Sequence, residues 1–157
     1  MNVIFVEPFF PNNQRQFARA LAEAGATVIG IGEYPKDSFD DQLRGWLHHY
    51  EQISSVTDVE ALAGAVRWVQ DKLWVDRLEA TIEAHTMPAA QVREACTIPG
   101  TSVRTAWLCR DKPSMKETLR AEAGYLANAC VRLRHPDYGA LRSVLGTAGR
   151  TPHVCAS

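Results

Sequence analysis

Lys112 is the residue whose type and setting bear most directly on chemistry in this chain. It lies in residues 109–126, CRDKPSMKETLRAEAGYL, where Asp111 is a natural helix cap and Pro113 belongs in a first turn rather than a helix interior. The residue before a proline avoids the α region, so a helix over TSVRTAWLCR (residues 101–110) stops and DKPSMKETLRAEAG starts afresh. In this second helix Met115, Leu119 and Ala123 are expected to face a core, and Gly124 to end it. A lysine at a helix N-terminus opposes the macrodipole at a cost of about a few tenths of a kcal/mol. The same position suits a phosphate, because backbone N–H groups and an ammonium together hold an anion better than either alone. Local physics leaves a second reading open, a solvated lysine beside Asp111.

Other candidates are weaker. Glu7, Asn12 and Asn13 follow the first apolar run in EPFFPNN; they could contact a ligand, or Pro8 and Pro11 could shape a turn while an Asn caps the next helix. GIGEY is a lone G-x-G without a third glycine and does not follow the first strand, so it is a poor dinucleotide fingerprint. His48 and His49 are expected on a helix with no carboxylate or cysteine at metal-ligand spacing, and His85 stands alone. Trp46, Trp68, Trp74 and Trp107 are spread over different elements, as core and interface residues are. No G-x-S-x-G supplies a serine nucleophile. Cys96, Cys109, Cys130 and Cys155 form no C-x-x-C pair, which reads as free thiols.

These residues need elements to position them. NVIFV (residues 2–6) is a near-continuous apolar run, as in a strand buried on both faces. A helix follows, with Phe17, Ala20, Leu21 and Ala24 on one stripe and Gly25 closing it. TVIGIG (27–32) predicts a second strand, SFDDQLRGWLHHY (38–50) a short helix starting at Ser38 or Asp40, and EQISSV (51–56) a third strand. Asp58 caps a helix whose core stripe is Val59, Leu62, Val66, Val69 and Leu73, and VDRLEATIE (75–83) predicts a fourth strand. Strands alternating with helices predict a parallel sheet with right-handed crossovers, an α/β domain over residues 1–100. Ligands of such sheets sit beyond the carboxyl ends of the strands, here the loops after Val6, Gly32, Val56 and Ile82.

Composition bounds the function. The 157 residues suit about one domain, and 46% apolar with 22% charged residues is ordinary for a globular chain. A formal charge of −1 gives no field that would draw it to nucleic acid or to an acidic membrane. No run approaches the ~18 apolar residues of a membrane span, and the N-terminus lacks the pattern of a secretory signal, so a cytoplasmic location is expected. Charge is nevertheless divided: residues 1–124 hold 13 Lys and Arg against 17 Asp and Glu, whereas residues 125–157 hold four Arg and one acid, Asp137.

The succession of a strand-rich domain, VDRLEATIE, a short helical stretch, IPG, and a helix leading into CRDKPSMKETLRAEAG resembles the start of an ATP-grasp enzyme. It is most similar to the branch of biotin carboxylase, the carbamoyl-phosphate synthetase large chain and carboxylate-amine ligases. That resemblance implies a Rossmann-like preATP-grasp domain over residues 1–100, followed by helices over 101–124 that begin the ATP-grasp domain. Lys116, Leu119 and Gly124 approximate the family's K-x-x-L-x-x-x-G pattern, and the family's Asp-Lys lysine, which contacts the nucleotide phosphates, carries over to Lys112. It further implies ATP and Mg2+ as cofactors, a small-molecule carboxylate as substrate, and an acylphosphate intermediate attacked by an amine.

The resemblance stops after Gly124. YLANACVRLRHPDYGALRSVLGTAGRTPHVCAS (125–157) shows no glycine-rich flap, adenine hinge or magnesium ligands, and it drops lysine for Arg and Ala. Three readings of this tail stand: an out-of-frame or truncated end, a divergent helix docking on the domain, or a zinc site from Cys130, His135, His153 and Cys155. The chain by itself is expected to lack ligase turnover. The competing expectations are a non-catalytic Rossmann-like ligand-binding or interaction module, and a remnant that self-associates through exposed apolar surface.

Overall fold

The computed structural model describes residues 1–123 of the chain. Residues 1–107 form one compact unit, while residues 108–123 belong to a second. The readings made for Gly124 and for the tail, including the zinc set Cys130, His135, His153 and Cys155, lie outside the described residues.

Four strands, β1 (Asn2–Val6), β2 (Thr27–Gly32), β3 (His49–Gln52) and β4 (Arg77–Glu79), make a parallel sheet of order β3-β2-β1-β4. Helices α1 (Gln14–Glu23), α2 (Asp41–Trp46), α3 (Val59–Gln70) and α4 (Glu83–Ala95) connect and cover it. The near-continuous apolar run of β1 follows from this, because alternate residues feed two cores on opposite faces. Ile4 and Val6 join Ile29, Ile31 and Leu78 under Leu62, Val66 and Val69 of α3 and Ala89 and Val92 of α4. Phe5 and Val28 join Tyr50 against Ala18 of α1 and Leu43 of α2. The α/β parallel-sheet expectation is borne out.

Several boundaries differ from those the sequence suggests. β3 is His49–Gln52 rather than residues 51–56, so His49 opens a strand and does not lie on a helix. The helix ahead of it is only Asp41–Trp46, capped by Asp40, which accepts from the Leu43 amide at 2.9 Å. β4 shrinks to three residues, and the short helical stretch after it is a 13-residue helix that accommodates Pro88. In α1 the buried stripe is Gln14 and Ala18 with half-buried Leu21 and Ala22; Phe17 stays 45% exposed, and Ala20 and Ala24 are exposed. Hydrophobicity alone misplaces this stripe because a polar residue, Gln14, takes an inward position. Asn13 sits at the N-cap but makes no side-chain cap bond.

Other local readings hold. Gly25 closes α1 in the left-handed region at φ 80°, with the Ala26 amide reaching back to the Leu21 carbonyl at 3.0 Å. Asp58 caps α3 by accepting from the Glu60 and Ala61 amides at 3.0 and 3.2 Å. Helix α5 (Val103–Arg110) starts after Ser102, whose hydroxyl accepts from the Thr105 amide at 3.1 Å. A new helix, α6 (Lys112–Ala123), follows Asp111. Within α6 Met115 is half-buried, but Leu119 is 48% exposed rather than facing a core.

Candidate functional site

The sheet order creates the site. From β1 the chain runs outward to β2 and β3 on one side, then crosses back through α3 to lay β4 on the other side of β1. The connection leaving β1 therefore turns to one face and the connection leaving β4 turns to the other, opening a crevice at their carboxyl ends. Gln14, the first residue of α1, and Thr81, just past β4, span it through a short hydrogen bond from the Thr81 hydroxyl to the Gln14 side-chain oxygen.

Glu7 lies at the floor of this region. It is the residue after β1, and it adopts φ 56°, a left-handed conformation unusual for a residue with a side chain. Its amide is held by the Ile31 carbonyl at 2.7 Å, which fixes the turn, and the residue is only 4% exposed. One carboxylate oxygen, Oε2, accepts from the Glu33 amide at 3.0 Å. The other, Oε1, is buried and has no hydrogen-bond partner among the described residues. Burial, reinforced by the Glu33 charge, pushes the Glu7 carboxyl above its ordinary range, although the Glu33 and Phe10 amides pull the other way.

Gly32, the last residue of β2, lets this packing occur. A Cβ there would lie 2.8 Å from the Tyr50 hydroxyl and 3.1 Å from both Glu7 carboxylate oxygens. Tyr50 donates to the Tyr34 carbonyl at 2.6 Å, and burial together with the Glu7 and Glu33 charges pushes its phenol far up, so it stays protonated. Glu33 is exposed; its Oε1 accepts from the Val56 amide at 2.8 Å and the Ser55 hydroxyl at 3.0 Å, tying the loops after β2 and β3.

His85, in the first turn of α4, brings the second unpartnered atom. Its Nδ1 is buried without a hydrogen-bond partner, and burial pushes the ring down, toward the neutral form, against the pull of Glu33. Glu33 thus acts electrostatically on both Glu7 and His85. The buried cation nearby is already engaged: Arg93 donates through Nη1 to the Leu78 carbonyl at 2.5 Å and through Nε to the Thr101 carbonyl at 3.2 Å. What remains open is rich in acceptors, so the crevice suits a ligand that brings N–H groups or positive charge. Above it stands an aromatic wall, Phe9 packed on Tyr34 and Phe39 at 4.9 and 5.2 Å, with Phe10 56% exposed.

Of the residues singled out from sequence, Glu7 belongs to this cluster, while Asn12 and Asn13 are exposed in the loop before α1. His85, expected to stand alone, is part of it. Gln14, Glu33, Tyr50 and Thr81 escaped notice, since no spacing links residues that meet only across the strand ends. Among the described residues no group of three His, Cys, Asp or Glu could hold a metal ion. Cys96 is buried and Cys109 exposed, both free. No helix of the described residues is long and apolar enough to cross a membrane.

Lys112 is the first residue of α6 and is exposed. Pro113 has no N–H, and the Ser114 amide is directed to the Asp111 carboxylate at 3.4 Å, as is the Ser114 hydroxyl. The opening turn therefore offers an anion the Lys112 ammonium and its own amide rather than a full ring of backbone donors.

No protein-family model matches the sequence, and no curated protein does. Solved structures share the fold, among them the following two. One is phosphoribosylglycinamide synthetase from Anaerococcus prevotii, with 13% identity, a TM-score of 0.58, and coverage of 76% of this chain and 28% of that one. The other is L-amino acid ligase from Bacillus licheniformis, with 18% identity, a TM-score of 0.57, and coverage of 76% of this chain and 29% of that one. The chain thus spans under a third of the length of either neighbour. The ATP-grasp resemblance read from the sequence is borne out at the level of fold, a Rossmann-like domain with a parallel sheet.

Proposed function

We propose that this chain is the N-terminal part of an ATP-dependent carboxylate-amine ligase or carboxylase, working through an acylphosphate. The observation that carries the reading is the parallel sheet of order β3-β2-β1-β4 followed by α5 and α6, a fold shared with a synthetase and a ligase. In such a reaction ATP transfers its terminal phosphoryl group to a carboxylate or bicarbonate oxygen, and a nucleophile then displaces phosphate from the activated carbon.

This chain's own residues fit two parts of that chemistry. Lys112 presents an exposed ammonium at a helix start, fit to neutralise a phosphoryl oxygen of ATP. Glu7 Oε1, with the Glu33 carboxylate and neutral His85 nearby, fits the N–H groups of an amine substrate. The described residues do not fit Mg2+, since no ligand set is gathered among them. The 157-residue chain by itself is therefore expected to lack ligase turnover, and its place of work is proposed to be the cytoplasm. Calorimetry with ATP and magnesium tests the reading: saturable binding by the chain, lost in Lys112→Ala, is expected. Absence of binding would overturn the assignment of Lys112.

A second reading is a non-catalytic module that binds a small ligand or another protein. The unpartnered Glu7 Oε1 favours the first form, because that crevice needs no nucleotide to hold an amine. Trp74 at 74% exposure and Phe10 at 56% favour the second, and would also promote self-association. Amine binding that is stoichiometric and indifferent to ATP would select this reading over the ligase.

A further inference from the structure

At the opposite end of the sheet, a cavity of about 240 Å3 opens between β3 and the last turn of α3. Ile29 and Val69, both buried, form an apolar floor, and His48, His49 and Lys72 stand around it with the Trp68 indole as a wall. We infer that this cavity binds a small organic anion, a phosphomonoester or carboxylate carrying one apolar ring or short chain, independently of the crevice at the carboxyl ends.

Three features argue for it. First, the indole is held in place although it is 40% exposed: the His49 ring stacks on it at 5.0 Å and 27°, and Lys72 Nζ sits 3.9 Å from its centroid. An exposed aromatic fixed by a cation and a stacked ring gives a preformed wall rather than a floppy one. Second, the charge on that wall is not neutralised. Lys72 makes no ion pair with an acid among the described residues, and a cation leaning over an apolar ring is drawn to an anion more strongly than one in open water. Glu51 is engaged with His49 Nε2 at 3.3 Å, and Asp71, the C-cap of α3, is exposed. Third, polar and apolar surfaces are divided as a small ligand requires, with basic groups at the mouth and aliphatic groups at the floor. The volume lies below the roughly 300–1,000 Å3 of sites for drug-sized ligands, which limits the occupant to one ring and its charged group.

Phenyl phosphate is the probe, titrated against the full chain while the Trp68 indole N–H is followed by NMR. Inorganic phosphate and phenol serve as separate arms. The expected result is saturable binding of phenyl phosphate, tighter than either fragment, with the Trp68 signal shifted. Lys72→Met should weaken it by on the order of tenfold, Lys72→Arg should retain it, and Lys36→Met, a lysine remote from the cavity, should leave it unchanged. Circular dichroism of each variant separates lost binding from lost folding. No saturation, binding indifferent to Lys72→Met, or inorganic phosphate binding as tightly as phenyl phosphate would each overturn the inference.

Discussion

The two ends of this sheet have opposite electrical character. At the carboxyl ends, Glu7, Glu33 and a neutral His85 leave acceptors unmatched under a floor closed by Gly32. At the amino end of β3, His48, His49 and Lys72 surround an apolar cavity, and Lys72 is paired with no acid among the described residues. The same four strands serve both, so the difference arises in the connections. Loops leaving strands converge at the topological switch between β1 and β4 and bring distant acids together. The cavity is built locally, by β2, the edge strand β3 and the end of α3. A site assembled from four separate connections should be sensitive to packing, and one built from three adjacent elements should be tolerant.

The largest test of that contrast is Gly32→Ala. The added methyl would press on the Tyr50 hydroxyl and on both Glu7 oxygens, and overpacking of this kind costs about 1–3 kcal/mol. Urea unfolding should show that loss, with amine binding at the crevice impaired and phenyl phosphate affinity retained; equal damage to both would mean the ends are coupled. Asp58→Ala should cost about 1 kcal/mol by leaving the Glu60 and Ala61 amides without their cap. Because Trp68 lies at the far end of the capped helix, phenyl phosphate affinity should again hold while the denaturation midpoint falls.

The smallest effect expected is in the pH dependence of Glu7. Its carboxyl is raised in the folded chain above the ordinary 4.5, so the folded state holds the proton more tightly than the unfolded state. The corresponding stability is full below that value and is lost as pH rises through the folded one. Glu7→Gln, which keeps the shape and removes the titration, should flatten the urea midpoint over that window by a fraction of a pH-dependent slope. An unchanged slope in the variant would show that other groups carry it.

How much of this was readable in advance depends on the range of the interactions. β1 and β2 are legible to the residue because both faces are buried and the apolar run is unbroken. The Asp58 cap, the Gly25 stop and the break at Asp111 are legible because each is a local backbone requirement met by a local side chain. β3 is not: HYEQ is an edge strand of mixed polarity, and its two histidines extend the helical pattern ahead of it. The stripe of α1 is misread because Gln14 points inward to meet Thr81, 67 positions away. The crevice shares that difficulty. Glu7 can be placed near a strand end from sequence, but Glu33, Tyr50 and Gly32 become its neighbours only once the strands lie side by side.

The central position of β1 also bears on synthesis. Residues 2–6 are made before both of their partners and find β2 by Gly32, but their second neighbour, β4, is not made until Glu79. A nascent chain arrested between these points would present the middle strand of the finished sheet as a bare edge, with Ile4 and Val6 still waiting for α3 and α4 to cover them. Arrested chains of increasing length, probed by limited proteolysis, should become protected only when residues 77–95 have cleared the exit tunnel.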